Sequence, residues 1–316
     1  MTRPFLLDCD TGIDDAMALL YLASEPTIDF VGISTVSGNV TAEQAATNSL
    51  RLLHLIDRLD VPVAVGAMDF LDRPFDGGVP HIHGRNGVGN VEVPPAPVGP
   101  VAQSGAELIV EMARRYPGEL HLITIGPLTN IALALELEPE LPRLVSHVTV
   151  MGGAALVPGN VSPVAEANIA NDAKASAIVL AADWPITLVG LDVTMQQNLE
   201  EPDRVRLLES DRPVAQLMGR ILDLYFDFYE PIMGRRCSAL HDPLAAAIAV
   251  GGIAMDLAPV VRVVVDDTEG PGRGQTICDL RGSYAGYPEQ SGAHCAVALR
   301  IDTDFAPILM ERLLSL

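Results

Sequence analysis

The chain carries, at residues 6–15, the run Leu6-Leu7-Asp8-Cys9-Asp10-Thr11-Gly12-Ile13-Asp14-Asp15. A short apolar segment leads into four carboxylates within eight residues, with a Thr-Gly pair between them. The apolar residues predict a buried strand, the Thr-Gly pair a turn, and the last two acids the first turn of a helix. Strand periodicity predicts that Asp8 and Asp10 share one face. A strand that feeds directly into a helix is typical of α/β folds.

The same alternation of apolar runs and helical patterns continues along the chain. It predicts strands at residues 5–7, 30–36, 61–65, 120–125, 147–151, 186–191, 260–265 and 296–301. It predicts helices at about residues 14–23, 42–56, 131–137, 173–182 and 244–250. We therefore expect an α/β fold in one domain over residues 1–316, with a mostly parallel, Rossmann-like central sheet flanked by helices. The sequence predicts long loops at residues 70–100 and 152–172 and a hairpin turn at residues 269–275.

Composition narrows the function classes. The 316 residues include 20 Lys+Arg and 41 Asp+Glu, which gives a formal net charge of −21. Such acidity argues against nucleic acid and anionic membranes as partners, since both require clustered cations. The longest uncharged apolar run, at residues 243–255, is shorter than the ~20 residues of a membrane helix. The first residues lack the apolar core of a signal peptide, and the four cysteines form no CxxC pair, so we expect reduced thiols and a cytoplasmic location.

The acids of residues 8–15 indicate a cation site. Like charges this close disfavour joint ionisation unless something offsets them, and a helix N-terminus supplies only ~0.3–1 kcal/mol per carboxylate. A hard cation would offset them far better, and oxygen ligands suit Ca²⁺ or Mg²⁺ rather than zinc. The spacing is not that of an EF-hand. In the alternative interpretation, Asp14 and Asp15 are ordinary helix-start acids and the other two flank a turn.

Polar residues follow several other predicted strands. They lie in the segments 37–39, 126–130 and 152–153 and at Asp192. Because ligands of open α/β sheets bind at the carboxyl ends of strands, these residues and the acidic cluster outline one pocket. Each also has an ordinary structural interpretation, since Gly and Asn form turns and Thr129 or Asn130 would cap the next helix.

Two further segments carry polar groups suited to chemistry. Glu166 and Asn168 lie in the second long loop, where they could hold sugar hydroxyls, or could be solvated loop residues followed by Asp172 as a helix cap. In His241-Asp242-Pro243, the Asp and Pro fit the N-cap and first position of a helix. The helix-start pattern gives no reason for His241, which could be an exposed residue without a role or a general acid.

Taken together, these segments resemble the nucleoside hydrolases, the inosine/uridine-preferring N-ribohydrolases. The resemblance starts at residues 8–15 and is collinear over almost the whole chain, through residues 37–39, 83–87, 126–130, 151–153, 166–168, 191–194, 241–243 and 272–276. It implies calcium-dependent hydrolysis of the N-glycosidic bond of ribonucleosides to ribose and free base, with a metal-bound water as nucleophile. It also implies a small-molecule nucleoside as substrate, a part in purine or pyrimidine salvage, and assembly as a homodimer or homotetramer.

The resemblance carries residue roles with it. It implies Ca²⁺ held by Asp10, Asp15, Asp242 and the backbone carbonyl of Ile125, with Asp10 as the base that activates water. It implies that His241 protonates the departing base and that Met151 lines the sugar pocket. The implied ligands of the ribose hydroxyls are Asp14, Asn39, Asn160, Glu166 and Asn168. We also place His83 and Tyr229 among the substrate contacts.

One residue departs from the family pattern. An aromatic residue is common between the Glu and Asn of the ribose loop, and this chain has Ala167. Stacking of the base is therefore expected from elsewhere, from Tyr225 or Tyr229 in the helix that precedes His241. The departure concerns nucleobase preference and leaves the reaction class unchanged.

Two alternatives are weighed against this function. Residues 8–11 also satisfy the DxDxT motif of haloacid-dehalogenase-type phosphatases, which require a later lysine and a late acidic pair. The chain offers only Lys174, within a predicted helix, and Asp266-Asp267 beside a hairpin turn. The other alternative is a calcium-dependent nucleoside-binding protein that has lost turnover, against which Asp10 and His241 argue.

Overall fold

An eight-stranded sheet forms the centre of the fold, which is known from a computed structural model that describes residues 2–316. The strands of the structure are β1 (Arg3–Cys9), β2 (Ile28–Thr35), β3 (Val63–Val65), β4 (Leu120–Thr124), β5 (Val145–Met151), β6 (Ile186–Val189), β7 (Asn198–Glu200), β8 (Cys237–Ala239), β9 (Val260–Val261), β10 (Val263–Val265), β11 (Thr276–Cys278) and β12 (Cys295–Val297). The central sheet has the order β3-β2-β1-β4-β5-β6-β12-β9, and all its pairs are parallel except β12–β9. Two antiparallel pairs, β7–β8 and β10–β11, lie outside it.

Helices cover both faces of this sheet. They are α1 (Ile13–Ala23), α2 (Ala42–Leu55), α3 (Pro80–His83), α4 (Gly105–Arg115), α5 (Thr129–Leu137), α6 (Leu141–Leu144), α7 (Ala167–Asn171), α8 (Ala173–Ala181), α9 (Leu191–Thr194), α10 (Glu201–Glu209), α11 (Pro213–Met233), α12 (His241–Val250) and α13 (Ala306–Ser315), with a 3₁₀ turn at Arg281–Ala285. Within residues 2–316, no helix is both long and apolar enough to cross a membrane.

Alternate residues of β1 belong to two separate cores. Phe5 and Leu7 pack with apolar residues of α1, α2, α11, α12 and α13. Leu6 points to the other face and packs with α4, α5 and α8. Both faces of the central strands are therefore buried, which explains why these strands read as continuous apolar runs.

The α/β fold class predicted from the sequence is confirmed, and the differences are shifted element ends and helices that the periodicity did not predict. Residues 260–265 form two short strands in different sheets, and the strand predicted at residues 296–301 ends at Val297. Helices α4, α10 and α13 were not predicted from the periodicity. Helix α12 begins at His241 with Leu240 as N-cap, so the expectation that Asp242 caps this helix is wrong. The hairpin turn at residues 269–275 is confirmed between β10 and β11.

The order of the strands places a crevice between β1 and β4. From β1 the chain moves outward through β2 to β3, and it then returns to build β4, β5 and β6 on the opposite side. Strand order therefore reverses between β1 and β4, which are hydrogen-bonded neighbours. Ligands of open α/β sheets bind outside the carboxyl ends of the strands at such a reversal.

Candidate active site

The turn after β1 brings a set of carboxylates to this crevice. Helix α1 starts immediately after Gly12, and Oδ2 of Asp15 accepts a 2.8 Å hydrogen bond from the Gly12 amide. Asp14 and Asp15 therefore occupy the first turn of α1, as the sequence predicted. Asp242 joins them from the first turn of α12. One carboxylate oxygen from each of the three residues lies within 4.8 Å of the others, and all three are buried.

Asn39 donates hydrogen bonds to two of the carboxylates. Its backbone amide donates to Oδ2 of Asp10 at 2.6 Å, and its Nδ2 donates to Oδ2 of Asp15 at 3.1 Å. The amide of Asp10 itself donates to Oδ1 of Asp15 at 3.2 Å. The loop after β2 thus fixes the acids that follow β1, because parallel neighbours end at the same edge of the sheet.

The electrostatics of this cluster favour a cation. Burial and the neighbouring carboxylates raise the pKa of Asp10 and Asp242 well above the ordinary value, and the same causes raise the pKa of Asp15 to about 7. No Lys or Arg of residues 2–316 forms a salt bridge with these acids. Oδ1 of Asp10 and Oδ1 of Asp14 are buried without a hydrogen-bond partner in the described chain. Unpaired buried oxygens of this kind are what a hard cation coordinates.

Asp8, the first acid of the motif, lies apart from this cluster. Its Oδ1 accepts a 2.8 Å hydrogen bond from Nδ2 of Asn130, which also donates to Ser34 and to the Thr35 carbonyl. Burial raises the pKa of Asp8 to about 7. Of the two acids expected on one face of the strand, Asp8 lies within β1 and Asp10 follows its last residue, Cys9.

Asn130 is correspondingly not a helix cap. Its Nδ2 shares two protons among three acceptors and its Oδ1 accepts from the Ala67 amide at 2.8 Å, so the side chain holds the ends of β1 and β2 together. Thr129 donates to Asp172 at 2.7 Å and is not a cap either. Asp172 does cap α8, as predicted, because its Oδ1 accepts from the Ala175 amide at 2.9 Å.

The loop at residues 152–172 approaches the crevice from β5. Nδ2 of Asn168 donates to the carbonyl of Ile125 at 2.9 Å and to that of Met151 at 3.2 Å. The predicted carbonyl ligand Ile125 and the predicted sugar-pocket residue Met151 are thus joined by a third predicted site residue. Both Met151 and Asn168 are buried.

Glu166 and Asn160 hold the shape of the same loop. The carboxylate of Glu166 accepts hydrogen bonds from the amides of Gly153, Asn168 and Ile169 at 3.0, 2.9 and 3.2 Å. Burial raises the pKa of Glu166 to about 7 against the opposing effect of these bonds. Oδ1 of Asn160, an exposed residue, accepts from the Ala167 amide at 3.0 Å.

Aromatic residues line the crevice beside the acidic cluster and form what we call its aromatic wall. Tyr225 and Tyr229 project from one face of α11, and the Tyr225 hydroxyl donates to Oδ2 of Asp14 at 2.9 Å. Nδ1 of His83 accepts the Ile13 amide at 3.0 Å, so neutral His83 carries its proton on Nε2. The predicted stacking residues Tyr225 and Tyr229 are therefore brought to the acidic cluster, together with His83.

His241 uses both ring nitrogens within the protein. Nε2 lies 2.7 Å from the Tyr229 hydroxyl, and Nδ1 lies 2.7 Å from the Thr194 hydroxyl. Burial lowers the pKa of His241, and Asp14 opposes that shift. Any proton or hydrogen bond that His241 passes to a ligand by these contacts goes through the hydroxyl of Tyr229.

Several residues of this wall were not found from the sequence. No role follows from the sequence for Thr194, Phe228 or His81, although Thr194 belongs to the segment 191–194 of the family resemblance. Phe228 packs edge-on against Tyr229 and His81, with ring centroids 5.1 and 6.3 Å apart. The spacing of Tyr225 and Phe228 on one helix is the only local signal that could have indicated an aromatic wall.

Comparisons with known proteins agree with this geometry. Residues 5–306 match the family model described as inosine-uridine preferring nucleoside hydrolase. The chain is 37% identical over 281 residues to a protein of Arabidopsis thaliana described as probable uridine nucleosidase 2, covering 89% of this chain and 84% of that one.

Solved structures give the same result. A plant nucleoside hydrolase superposes with a TM-score of 0.93 at 29% identity, with 100% of both chains covered. A purine-preferring ribonucleoside hydrolase from Gardnerella vaginalis superposes with a TM-score of 0.88 at 31% identity, covering 99% of this chain and 97% of the other.

Proposed function

The chain belongs to the inosine-uridine preferring nucleoside hydrolase family and is a nucleoside N-ribohydrolase, and we propose that it uses calcium and water to release the free base. The calcium proposal rests on the buried carboxylates with unpaired oxygens, which lie where the strand order of the sheet reverses. We assign Ca²⁺ to Asp10, Asp15, Asp242 and the Ile125 carbonyl, with Asp14 beside it. Carboxylate and carbonyl oxygens are the donors that Ca²⁺ prefers.

The residues of the crevice suit cleavage of an N-glycosidic bond. Glycoside hydrolysis passes through an oxocarbenium-like state, whose positive charge is stabilised by nearby carboxylates. Bound calcium would supply the charge that orients the attacking water and lowers its pKa. Asp10 would accept the proton of that water. Hydrogen bonds from the ribose hydroxyls to Asp14, Asn160, Glu166 and Asn168 would tighten as charge develops on the ring.

The aromatic wall would receive the base. Tyr229 and His83 lie beside the acidic cluster, and Tyr229 presents a hydroxyl that is hydrogen-bonded to His241. We propose that Tyr229 and His241 together help the base to depart. A relative at 37% identity is described as probable uridine nucleosidase 2, so we propose uridine as a substrate.

The phosphatase alternative does not fit the arrangement. Lys174 is exposed on α8, on the face of the sheet opposite to α1 and α12. Asp266 binds the Thr268 amide and hydroxyl within the β10–β11 hairpin. Neither residue is in hydrogen-bond or ion-pair contact with Asp10 or Asp14.

A panel of nucleosides tests the proposal. Uridine, cytidine, inosine and adenosine are incubated with the enzyme in calcium and after chelation, and free base is measured by chromatography. We expect base release that chelation abolishes and that added calcium restores. Base release unaffected by chelation would overturn the calcium proposal, and hydrolysis of inosine but not uridine would overturn the substrate proposal.

A further inference from the structure

The pair formed by Thr194 and His241 is held rigidly from both sides. Thr194 ends α9, and its amide donates to the Gly190 carbonyl at 3.2 Å. His241 begins α12, directly after the segment that pairs with β7, and the Leu240 amide donates to the Gln197 carbonyl at 2.9 Å. The two side chains therefore face each other from fixed backbone positions, since only the turn at residues 195–197 separates Thr194 from β7 and only Leu240 separates His241 from β8.

Burial restricts how the Thr194 proton can be placed. Thr194 has no exposed surface, and its hydroxyl has no other hydrogen-bond partner within residues 2–316. If His241 donated from Nδ1, the hydroxyl proton of Thr194 would be left buried without an acceptor, which is costly. If Thr194 donates to Nδ1, every proton of the pair has a partner.

From this geometry we infer that Thr194 is a positioning residue, which holds neutral His241 as the tautomer protonated on Nε2. Nε2 then donates to the Tyr229 oxygen, 2.7 Å away. The hydroxyl proton of Tyr229 is thereby released from His241 and is free to point at the leaving base. Donors in such a chain polarise one another, so the Tyr229 proton becomes a stronger hydrogen-bond donor.

The inference rests on the proposed function and assigns its leaving-group step. The C–N bond breaks with its electron pair going to the base, which departs hydrogen-bonded to the Tyr229 hydroxyl. Water forms the new C–O bond to the ribose and gives a proton to Asp10. The base then takes a proton from solvent, to which Asp10 returns the proton that it accepted. His241 transfers no proton in this step, since its Nε2 proton stays between Nε2 and the Tyr229 oxygen.

A tautomer measurement tests the inference without turnover. Long-range ¹H–¹⁵N correlation spectra distinguish Nε2–H from Nδ1–H imidazole, and the His241 signals are assigned by their loss in His241→Gln. Spectra are recorded about one pH unit above the ordinary histidine pKa of about 6.5. We expect the Nε2–H form in the native protein; the Nδ1–H form would overturn the inference even if nucleosides are hydrolysed.

Kinetics of three variants test its consequence. Thr194→Val removes the hydroxyl at constant shape, and we expect kcat on uridine to fall about 10–100-fold with KM little changed. Thr194→Ser keeps the hydroxyl and should retain most of the activity. The same Val variant should hydrolyse p-nitrophenyl riboside within about threefold of the native rate, because that leaving group needs no hydrogen bond.

A second threonine–histidine pair supplies the matched control. The Thr187 hydroxyl lies 2.9 Å from Nε2 of His147, and both residues lie in the amino-terminal halves of their strands, β6 and β5. Thr187→Val should leave uridine hydrolysis unchanged. Equal losses on both substrates in Thr194→Val, or no loss on uridine, would overturn the positioning role. Absence of base release by the native enzyme from every nucleoside would instead refute the proposed function, while the tautomer measurement still decides the inference.

Discussion

The hydroxyl of Tyr225 donates a 2.9 Å hydrogen bond to Oδ2 of Asp14, across 211 positions of sequence. Oδ1 of the same carboxylate is buried without a partner in the described chain. Tyr225 therefore satisfies one oxygen of Asp14 and leaves the other for a ligand. This contact joins the aromatic wall to the acidic cluster.

Removing that hydroxyl should weaken catalysis. In Tyr225→Phe, Oδ2 of Asp14 loses its partner in a buried site, where a hydrogen bond to a charged group contributes about 1.5–3 kcal/mol. We expect kcat/KM for uridine to fall at least about tenfold. Tyr116→Phe, at the end of α4, is the matched control and should show the native value. Native kcat/KM in Tyr225→Phe would mean that Asp14 is held by other contacts.

Calcium should stabilise the native fold. A ligand that binds only the native state at 100 times its Kd adds about 2.7 kcal/mol to the free energy of unfolding. We expect the Tm in calcium to exceed the Tm after chelation, as measured by calorimetry.

Asp242→Asn separates the effect of calcium binding on stability from the effect of repulsion between neighbouring carboxylates. Asp242 is buried among like charges, which raise its pKa well above the ordinary value, so a neutral side chain relieves repulsion when calcium is absent. We expect the chelated variant to be more stable than the chelated native protein, by about 1 kcal/mol, and to lose the calcium-induced rise in Tm. A variant that keeps the full calcium response would remove Asp242 from the proposed ligands.

The stability of the fold should fall in acid because of His121. Burial lowers the pKa of this histidine from 6.5 to about 3, with smaller contributions from His147 and Arg3. Between these two pH values the unfolded chain binds a proton that the native state excludes, so acid favours unfolding. Above pH 6.5 neither state is protonated and the residue contributes no pH dependence.

The size of this effect is measurable by denaturant unfolding. The native protein should lose about 1.4 kcal/mol per pH unit below 6.5 relative to His121→Phe, down to about pH 3. The comparison uses the difference between the two proteins at each pH, which cancels the titration of groups that do not contact His121. A difference that stays constant from pH 7 to pH 4 would contradict the burial of a neutral His121.

Asn130 should contribute strongly to stability. Its amide group lies within hydrogen-bond distance of four partners, which are Asp8, Ser34, the Thr35 carbonyl and the Ala67 amide. Asn130→Ala leaves several buried groups unpaired, each at a cost of about 1–3 kcal/mol, so we expect a loss of about 3 kcal/mol or more. Asn171→Ala, at the C-terminus of α7, is the control with a small expected effect. A loss below about 1 kcal/mol for Asn130→Ala would show that the contacts of Asn130 are not needed.

Local pattern was enough to predict the fold class and much of the acidic cluster. The apolar run of β1 and the acids of α1 lie within ten residues, and their periodicity and helix-start preference appear directly in the sequence. The strand ends that supply Asn39 and Ile125 followed from the rule that parallel strands present their carboxyl ends at one edge.

Contacts between distant segments could not be predicted from local pattern alone. Asn130 and Thr129 have the residue types of caps, but their partners are acids that arrive from elsewhere in the chain. Thr194 meets His241 across 47 positions, and nothing in either segment encodes the meeting. The predicted element boundaries were wrong where tertiary contacts override local helix propensity, for example at the start of α12 at His241.

The most direct test of the account compares uridine hydrolysis by the native enzyme and by Asp10→Asn, both saturated with calcium. Asn keeps the shape of Asp10 and its bond from the Asn39 amide but cannot accept the proton of water. The account predicts that kcat falls at least about 10²-fold while the protein stays folded, by its circular dichroism spectrum and Tm. Base release at the native rate by folded Asp10→Asn would contradict it.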